Sequence, residues 1–267
     1  MPDLWTHYFF AKQLKYERRL EIELDDIYYL GAQGPDFLFY RAFEPWKKDK
    51  PGTDVAELFH QAGTDRLLGY VFKRRETAND ILADYLTGFL THYALDATVH
   101  PMIGRLAEDG KQHKQLEMAL DMKLYRDRRS GQSIRQASVA AEVAKQARLA
   151  EPIAQFYVDL AREVFDQEID KQLFYDSYVD FRKFHRLTNL SCGLKQHLVE
   201  EILTRFAPDY SHYFYGEDVS RVEISPDVWQ EYKDKIQHAG RLFDLLDRSL
   251  LPPQVVNFSG DNLETNS

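Results

Sequence analysis

Apolar positions recur along this chain with a helical period, broken at intervals by Gly, Pro and polar clusters. The pattern predicts a first helix from Leu4 to Tyr16, with Trp5, Tyr8, Phe9 and Leu14 apolar, and a short second one over Asp25–Leu30. Gly31, Gly34 and Pro35 then interrupt regular structure, so Asp36 is expected in a loop. Residues 41–53 read as a solvated loop at a cleft rim. Asp54 is expected to cap a helix reaching Arg75, loosened at Gly63. Thr77 and Asn79 open a central helix in which Gly88 would permit close backbone approach, and Pro101 is expected to end or kink it at His100. Further helices are predicted over His113–Arg128, Ser133–Leu149, Glu151–Glu168, Tyr175–Arg186, Leu194–Phe206 and Asp227–Leu251. Without β alternation or an internal repeat, this is one all-α domain, a multi-helix bundle over residues 1–251. Residues 252–267 read as a polar tail.

The central stretch Asp84–Pro101 carries the chemistry. Its apolar residues would bury most of a helix surface, yet His92, Asp96 and His100 recur at i, i+4 and i+8 along one stripe. At about 1.5 Å rise per residue the outer pair stands roughly 12 Å apart along the axis. One ion cannot use both, but adjacent ions can, with Asp96 between them because a carboxylate has two oxygens. His113 and Glu117 repeat the helical pairing soon after. His7 in the first helix, Asp36 in its loop and His60 complete the candidate ligands, whereas His185, His197, His212 and His238 read as surface or structural. Imidazoles and carboxylates without thiolates suit catalytic zinc, and eight of them exceed one tetrahedral ion and suffice for two or three. Clustered zinc ions polarise a phosphoryl oxygen and activate water at neutral pH.

Composition sharpens that picture. The chain has 267 residues and a net charge of −9, which disfavours a stable nucleic-acid complex because a phosphate backbone needs a basic face. A phosphate ester at a metal centre stays compatible, since divalent ions reverse the local sign. The lone cysteine, Cys192, excludes an intrachain disulfide framework and a cysteine zinc site. The start MPDLWTHYFF lacks the features of a signal peptide, and no apolar run reaches membrane-spanning length, so a cytoplasmic location is expected.

The motifs His7, Asp36, His60, His92-x3-Asp96-x3-His100-Pro101 and His113-x3-Glu117, in that order, resemble the zinc-dependent phospholipase C and S1/P1 nuclease superfamily. They cover residues 1 to about 120. The likeness is greatest to cytoplasmic phospholipase C-like members, which often share the MPD-x2-TH start. It implies an all-α bundle of the phospholipase C and P1 nuclease type holding three zinc ions. Asp36, His60, His92 and Asp96 would hold the first, and His100, His113 and Glu117 the second. His7, a shared Asp96 and the N-terminal residue would hold the third. The family supplies that last ligand from a tryptophan exposed by signal-peptide removal. This chain departs there, starting Met-Pro, so that Pro2 after methionine removal would stand in.

The resulting expectation is a zinc-dependent phosphoric ester hydrolase, phospholipase C-like, with Asp36 both a ligand and the residue that handles the attacking water. The substrate would be a phospholipid head group or a nucleotide. Tyr8, Phe39, Tyr40 and Phe59 are candidates for an apolar wall, though plain core is the simpler reading of them. A nuclease or nucleotidase on the same metals is the nearest rival, followed by a non-catalytic, metal-stabilised interaction protein. A ferritin-like di-iron protein would need Glu-x-x-His pairs, which the spacing does not provide.

Overall fold

The computed structural model describes residues 3–44, 46–61, 64–188 and 217–261, and among them every regular element is helical. The first helix, α1 (Leu4–Arg18), starts where the Asp3 side chain accepts the Leu4 N–H and stops at Arg19, which is left-handed at φ 51°. Next come α2 (Asp25–Gly31), a 3-10 turn at Asp36–Tyr40, α3 (Pro51–Gln61) and α4 (Thr64–Glu76). The central helix α5 (Asp80–Leu106) runs for 27 residues from an Asn79 cap whose side chain accepts the Leu82 N–H. It precedes α6 (Gly110–Arg128), the short α7 (Val139–Glu142), α8 (Glu151–Phe165) and α9 (Lys171–Thr188). After the undescribed stretch come α10 (Glu217–Ser220) and α11 (Pro226–Leu246).

The bundle is built around α5, which packs against α1, α2, α4, α6, α8 and α11. Its run of buried residues from Tyr85 to Ala97 leaves no solvated face, the mark of a helix inside a bundle. At Gly88 an added Cβ would lie 2.1 Å from the Tyr28 carbonyl oxygen, so the expected close backbone approach is made, with α2. That contact brings the start of the Asp36 turn over the middle of α5.

Several expectations need correction. Asp36 opens the 3-10 turn rather than lying in irregular loop. The helix foreseen over Asp54–Arg75 is described as two, α3 and α4, and residues 62–63 between them lie outside the described residues. Pro101 does not end α5, which continues through Leu106. Removing one helical hydrogen bond costs about 3 kcal/mol or more. Met102 and Ile103 bury fully just beyond, at roughly 1.5–3 kcal/mol each, and burial prevails. The helix predicted over Ser133–Leu149 shrinks to a 3-10 turn and α7. Side chains of α9 take up carbonyls of this stretch instead: Arg182 donates to Ala144 and Ala147, and the Tyr178 hydroxyl to Gln146.

The polar tail differs too. Through Asp261 it folds back on the bundle, and Phe258, 1% exposed, belongs to the main core. The helix expected over Leu194–Phe206, with Cys192, His197 and His212, lies outside the described residues.

Candidate metal centre

All eight candidate ligands lie in the described residues, and they form two clusters. The first joins His7 of α1, Asp36, His60 of α3, and His92 and Asp96 of α5. Asp96 presents one oxygen to His7 Nε2 at 3.2 Å and the other to His92 Nε2 at 3.3 Å. Asp36 Oδ1 lies 3.1 Å from His60 Nε2 and 3.7 Å from His92 Nε2. The second cluster joins His100 of α5 with His113 and Glu117 of α6. The two Nε2 atoms are 3.0 Å apart, and Glu117 Oε1 is 2.9 Å from His113 Nε2. The stripe along α5 thus feeds both clusters, as its spacing requires.

The first cluster is deeply buried and its polar atoms are unsatisfied. His7 Nε2, His60 Nε2, His92 Nε2, Asp36 Oδ1 and both Asp96 oxygens are buried with no hydrogen-bond partner. Each such orphan costs on the order of 1–3 kcal/mol. Six of them converging on one spot is the arrangement that a multivalent cation relieves. Two sets of three groups in the first cluster, His7, Asp36 and His92 and His60, His92 and Asp96, have ligand atoms all within 4.8 Å of one another, as do His100, His113 and Glu117 in the second. The donor chemistry and mutual distances fit metal ions, zinc among them.

Electrostatics favour ligation as well. Burial lowers both His92 and His100 to about 4, so each imidazole is neutral at pH 7 with a lone pair to offer. Burial would raise the Asp96 carboxyl, but His92 and His7 beside it hold it below the usual carboxylate range. Burial pushes His60 down, and the adjoining Asp36 more than reverses this, leaving it raised. His60 Nδ1 donates to the Ala56 carbonyl oxygen at 2.6 Å, which turns Nε2 toward the cluster. Asp36 is the half-buried edge, 16% exposed where Asp96 and His92 are sealed.

Local sequence explains these placements. Gly34, at φ 52°, lies against the His92 ring, where a Cβ would come within 2.1 Å of Cδ2. The first turn of α1 is held by the Asp121 carboxylate of α6, which accepts the Trp5 and Thr6 N–H groups and the Thr6 hydroxyl. His7 is the next residue.

Sequence reading missed Asp121, although it extends the stripe His113, Glu117 by another four residues. It also missed Lys114, whose Nζ lies 3.5 Å from both Asp3 and Glu117 carboxylates. Those carboxylates raise Lys114 against the lowering effect of burial, so it is charged. Of the aromatic candidates, Tyr8 and Phe59 are core, while Phe39 and Tyr40 are half-buried, with the Phe39 ring 5.6 Å from His60. His185, expected to be surface or structural, packs on Tyr40 and Phe181, and burial lowers it to about 3.

A two-cluster, all-helical site of imidazoles and carboxylates defines a class of metal-dependent hydrolase, and the family comparison agrees. The model of the zinc dependent phospholipase C family matches residues 6–170, and the chain belongs to that family. It is accordingly a zinc-dependent phosphoric ester hydrolase. No curated protein and no solved structure matches the chain. No helix among the described residues is long and apolar enough to cross a membrane.

Proposed function

We propose that the chain hydrolyses a phosphodiester at a centre of two or three zinc ions, with a phospholipid head group as substrate. Asp36, His60, His92 and Asp96 hold one ion, and His100, His113 and Glu117 a second. His7 and Asp96 would serve a third; the N-terminal residue expected to complete it lies outside the described residues. Bound zinc supplies Lewis acidity toward a phosphoryl oxygen and lowers the pKa of water.

The residues do the rest. Asp36, at the open edge, orients the attacking water and takes its proton as the oxygen bonds to phosphorus. The ester P–O bond then breaks, and the leaving alkoxide takes up a proton from solvent. Lys114 meets the negative charge of the phosphate, and Phe39 and Tyr40 offer an apolar wall to the leaving group. The observation that carries this reading is the convergence of six buried, unsatisfied ligand atoms, with Asp36 the most exposed residue of its cluster.

A nucleotide at the same centre is the second reading, favoured by the half-buried aromatics, on which a base can stack. The net charge of −9 argues against a long polyanion. Elemental analysis of gently purified protein, coupled to parallel assays on phospholipid and nucleotide esters, tests both. Two or more zinc equivalents with turnover of phospholipid are expected. One equivalent or none would reject the multinuclear centre, and turnover of nucleotides alone would select the second reading.

A further inference from the structure

Beyond α11 the chain crosses back over the middle of α5, where it is pinned at several points. The Tyr93 hydroxyl donates to the Val256 carbonyl oxygen at 2.8 Å. The Phe258 N–H donates to the His60 carbonyl oxygen at 3.4 Å, while the Phe258 carbonyl oxygen lies 3.3 Å from His100 Nδ1. The Phe258 ring sits 4.9 Å from that of His60 and 5.7 Å from that of His92. Gly260, at φ 78°, seats the segment on Pro101, where a Cβ would come within 2.2 Å of the proline Cγ. Pro101 has no N–H, so α5 leaves its Ala97 carbonyl without the usual helical donor on the side the segment covers. Asp261 closes the loop by donating its N–H to Asn257 Oδ1 at 2.8 Å.

We infer that Phe258 is a positioning residue of the metal centre and that residues 255–261 form a strap completing it. This rests on the reading that His60, His92 and His100 are ligands. A carbonyl oxygen can only accept, so the contact with His100 requires the proton on Nδ1. The lone pair is then left on Nε2, the atom facing His113 and Glu117. The Phe258 ring meanwhile excludes water from the imidazoles of His60 and His92. One residue therefore grips both clusters: its N–H holds the backbone of a first-cluster ligand, and its carbonyl orients a second-cluster ligand. The strap lies well beyond the segment the family model matches, so this chain's centre draws on a part of the sequence outside that segment.

The test compares the full chain with a chain ending at Gln254 and with Gly260→Ala and Tyr93→Phe. The last two disturb the strap's seat while keeping the Phe258 ring. Zinc is titrated against a competing chelator, and the His100 Nδ1 proton is followed by NMR in 15N-histidine-labelled, zinc-loaded protein. Loss of an outer partner of a metal-bound His weakens affinity by about 10- to 100-fold. Truncation and Gly260→Ala should each weaken one zinc equivalent by that factor and speed solvent exchange of the Nδ1 proton, with Tyr93→Phe smaller in the same direction. If the full chain binds zinc and the variants hold every equivalent as tightly, with the proton equally protected, the inference is overturned. A full chain that binds no zinc instead overturns the reading beneath it. Should truncation prevent folding, the two point variants decide.

Discussion

The Asp121 carboxylate accepts both the backbone N–H and the hydroxyl of Thr6, at 2.5 and 2.7 Å, far inside the bundle. It thereby replaces solvent at the start of α1 with a fixed anion, where the helix dipole favours one. It also fixes the residue before His7 to the helix that carries His113 and Glu117. Asp121→Asn keeps the shape and removes the charge. Hydrogen bonds to a charged group contribute about 1.5–3 kcal/mol each. A loss on the order of 2 kcal/mol is expected, lowering the melting temperature by roughly 4–8 °C. An unchanged melting temperature would mean that the carboxylate holds nothing that water cannot.

Asp96 and His113 should differ in what they cost the centre. Asp96 turns its two oxygens toward different imidazoles, so Asp96→Asn is expected to deplete more than one zinc equivalent. His113→Ala should empty only the cluster it shares with His100 and Glu117. Elemental analysis of both variants decides the matter, and equal depletion would refute a bridging role for Asp96.

Asp36→Asn should lower turnover by about 100-fold or more, within the range for a lost general base, while metal content falls far less. Parallel losses of turnover and zinc would reduce Asp36 to a ligand.

Lys114→Met should raise KM for an anionic phosphodiester about tenfold, the value of one charge-assisted contact, at unchanged zinc content. If zinc is lost instead, Lys114 supports Glu117 and does not face the substrate.

Acid should destabilise the zinc-free chain. His92 and His100 fall to about 4 in the fold from an ordinary 6.5, so between those values the unfolded chain binds more protons. Their contribution is complete above pH 6.5 and disappears as pH falls toward 4. Asp96, held low, adds a further loss as pH drops through the carboxylate range. His60 acts in the opposite sense, since its raised value stabilises below 6.5 and fades above. His60 already contributes fully below 6.5 and does not offset the two imidazoles there, so the melting temperature of the zinc-free chain should decline from pH 6.5 to 4.5. A flat profile there would contradict the burial of these rings.

Much of this architecture was legible because ligands and core share one period. On α5 the 3.6-residue repeat set both the buried surface and the stripe of His92, Asp96 and His100, so helix and site emerged together. Asp36 and His60 were legible as residue types, but their convergence on His92 depends on how α2 and α3 dock, which no local pattern encodes. Pro101 misled because its local cost is visible in sequence while the burial of Met102 and Ile103 is tertiary. The stretch after Ser133 misled for the reverse reason: its alanines favour helix, but donors from Arg182 and Tyr178 far along the chain override that preference. Phe258 carried no signal at all, being one aromatic in a polar stretch whose partners lie on α3 and α5.

Gly34 gives the centre a dependence on empty space. The His92 ring occupies the volume a side chain at position 34 would fill, and the left-handed backbone there already disfavours any other residue. A scan of every substitution along the chain would therefore score this turn glycine as severely as a ligand, although it donates no atom to the centre. Anyone redesigning the metal preference of this enzyme would find position 34 closed until the His92 ring itself is replaced by something smaller.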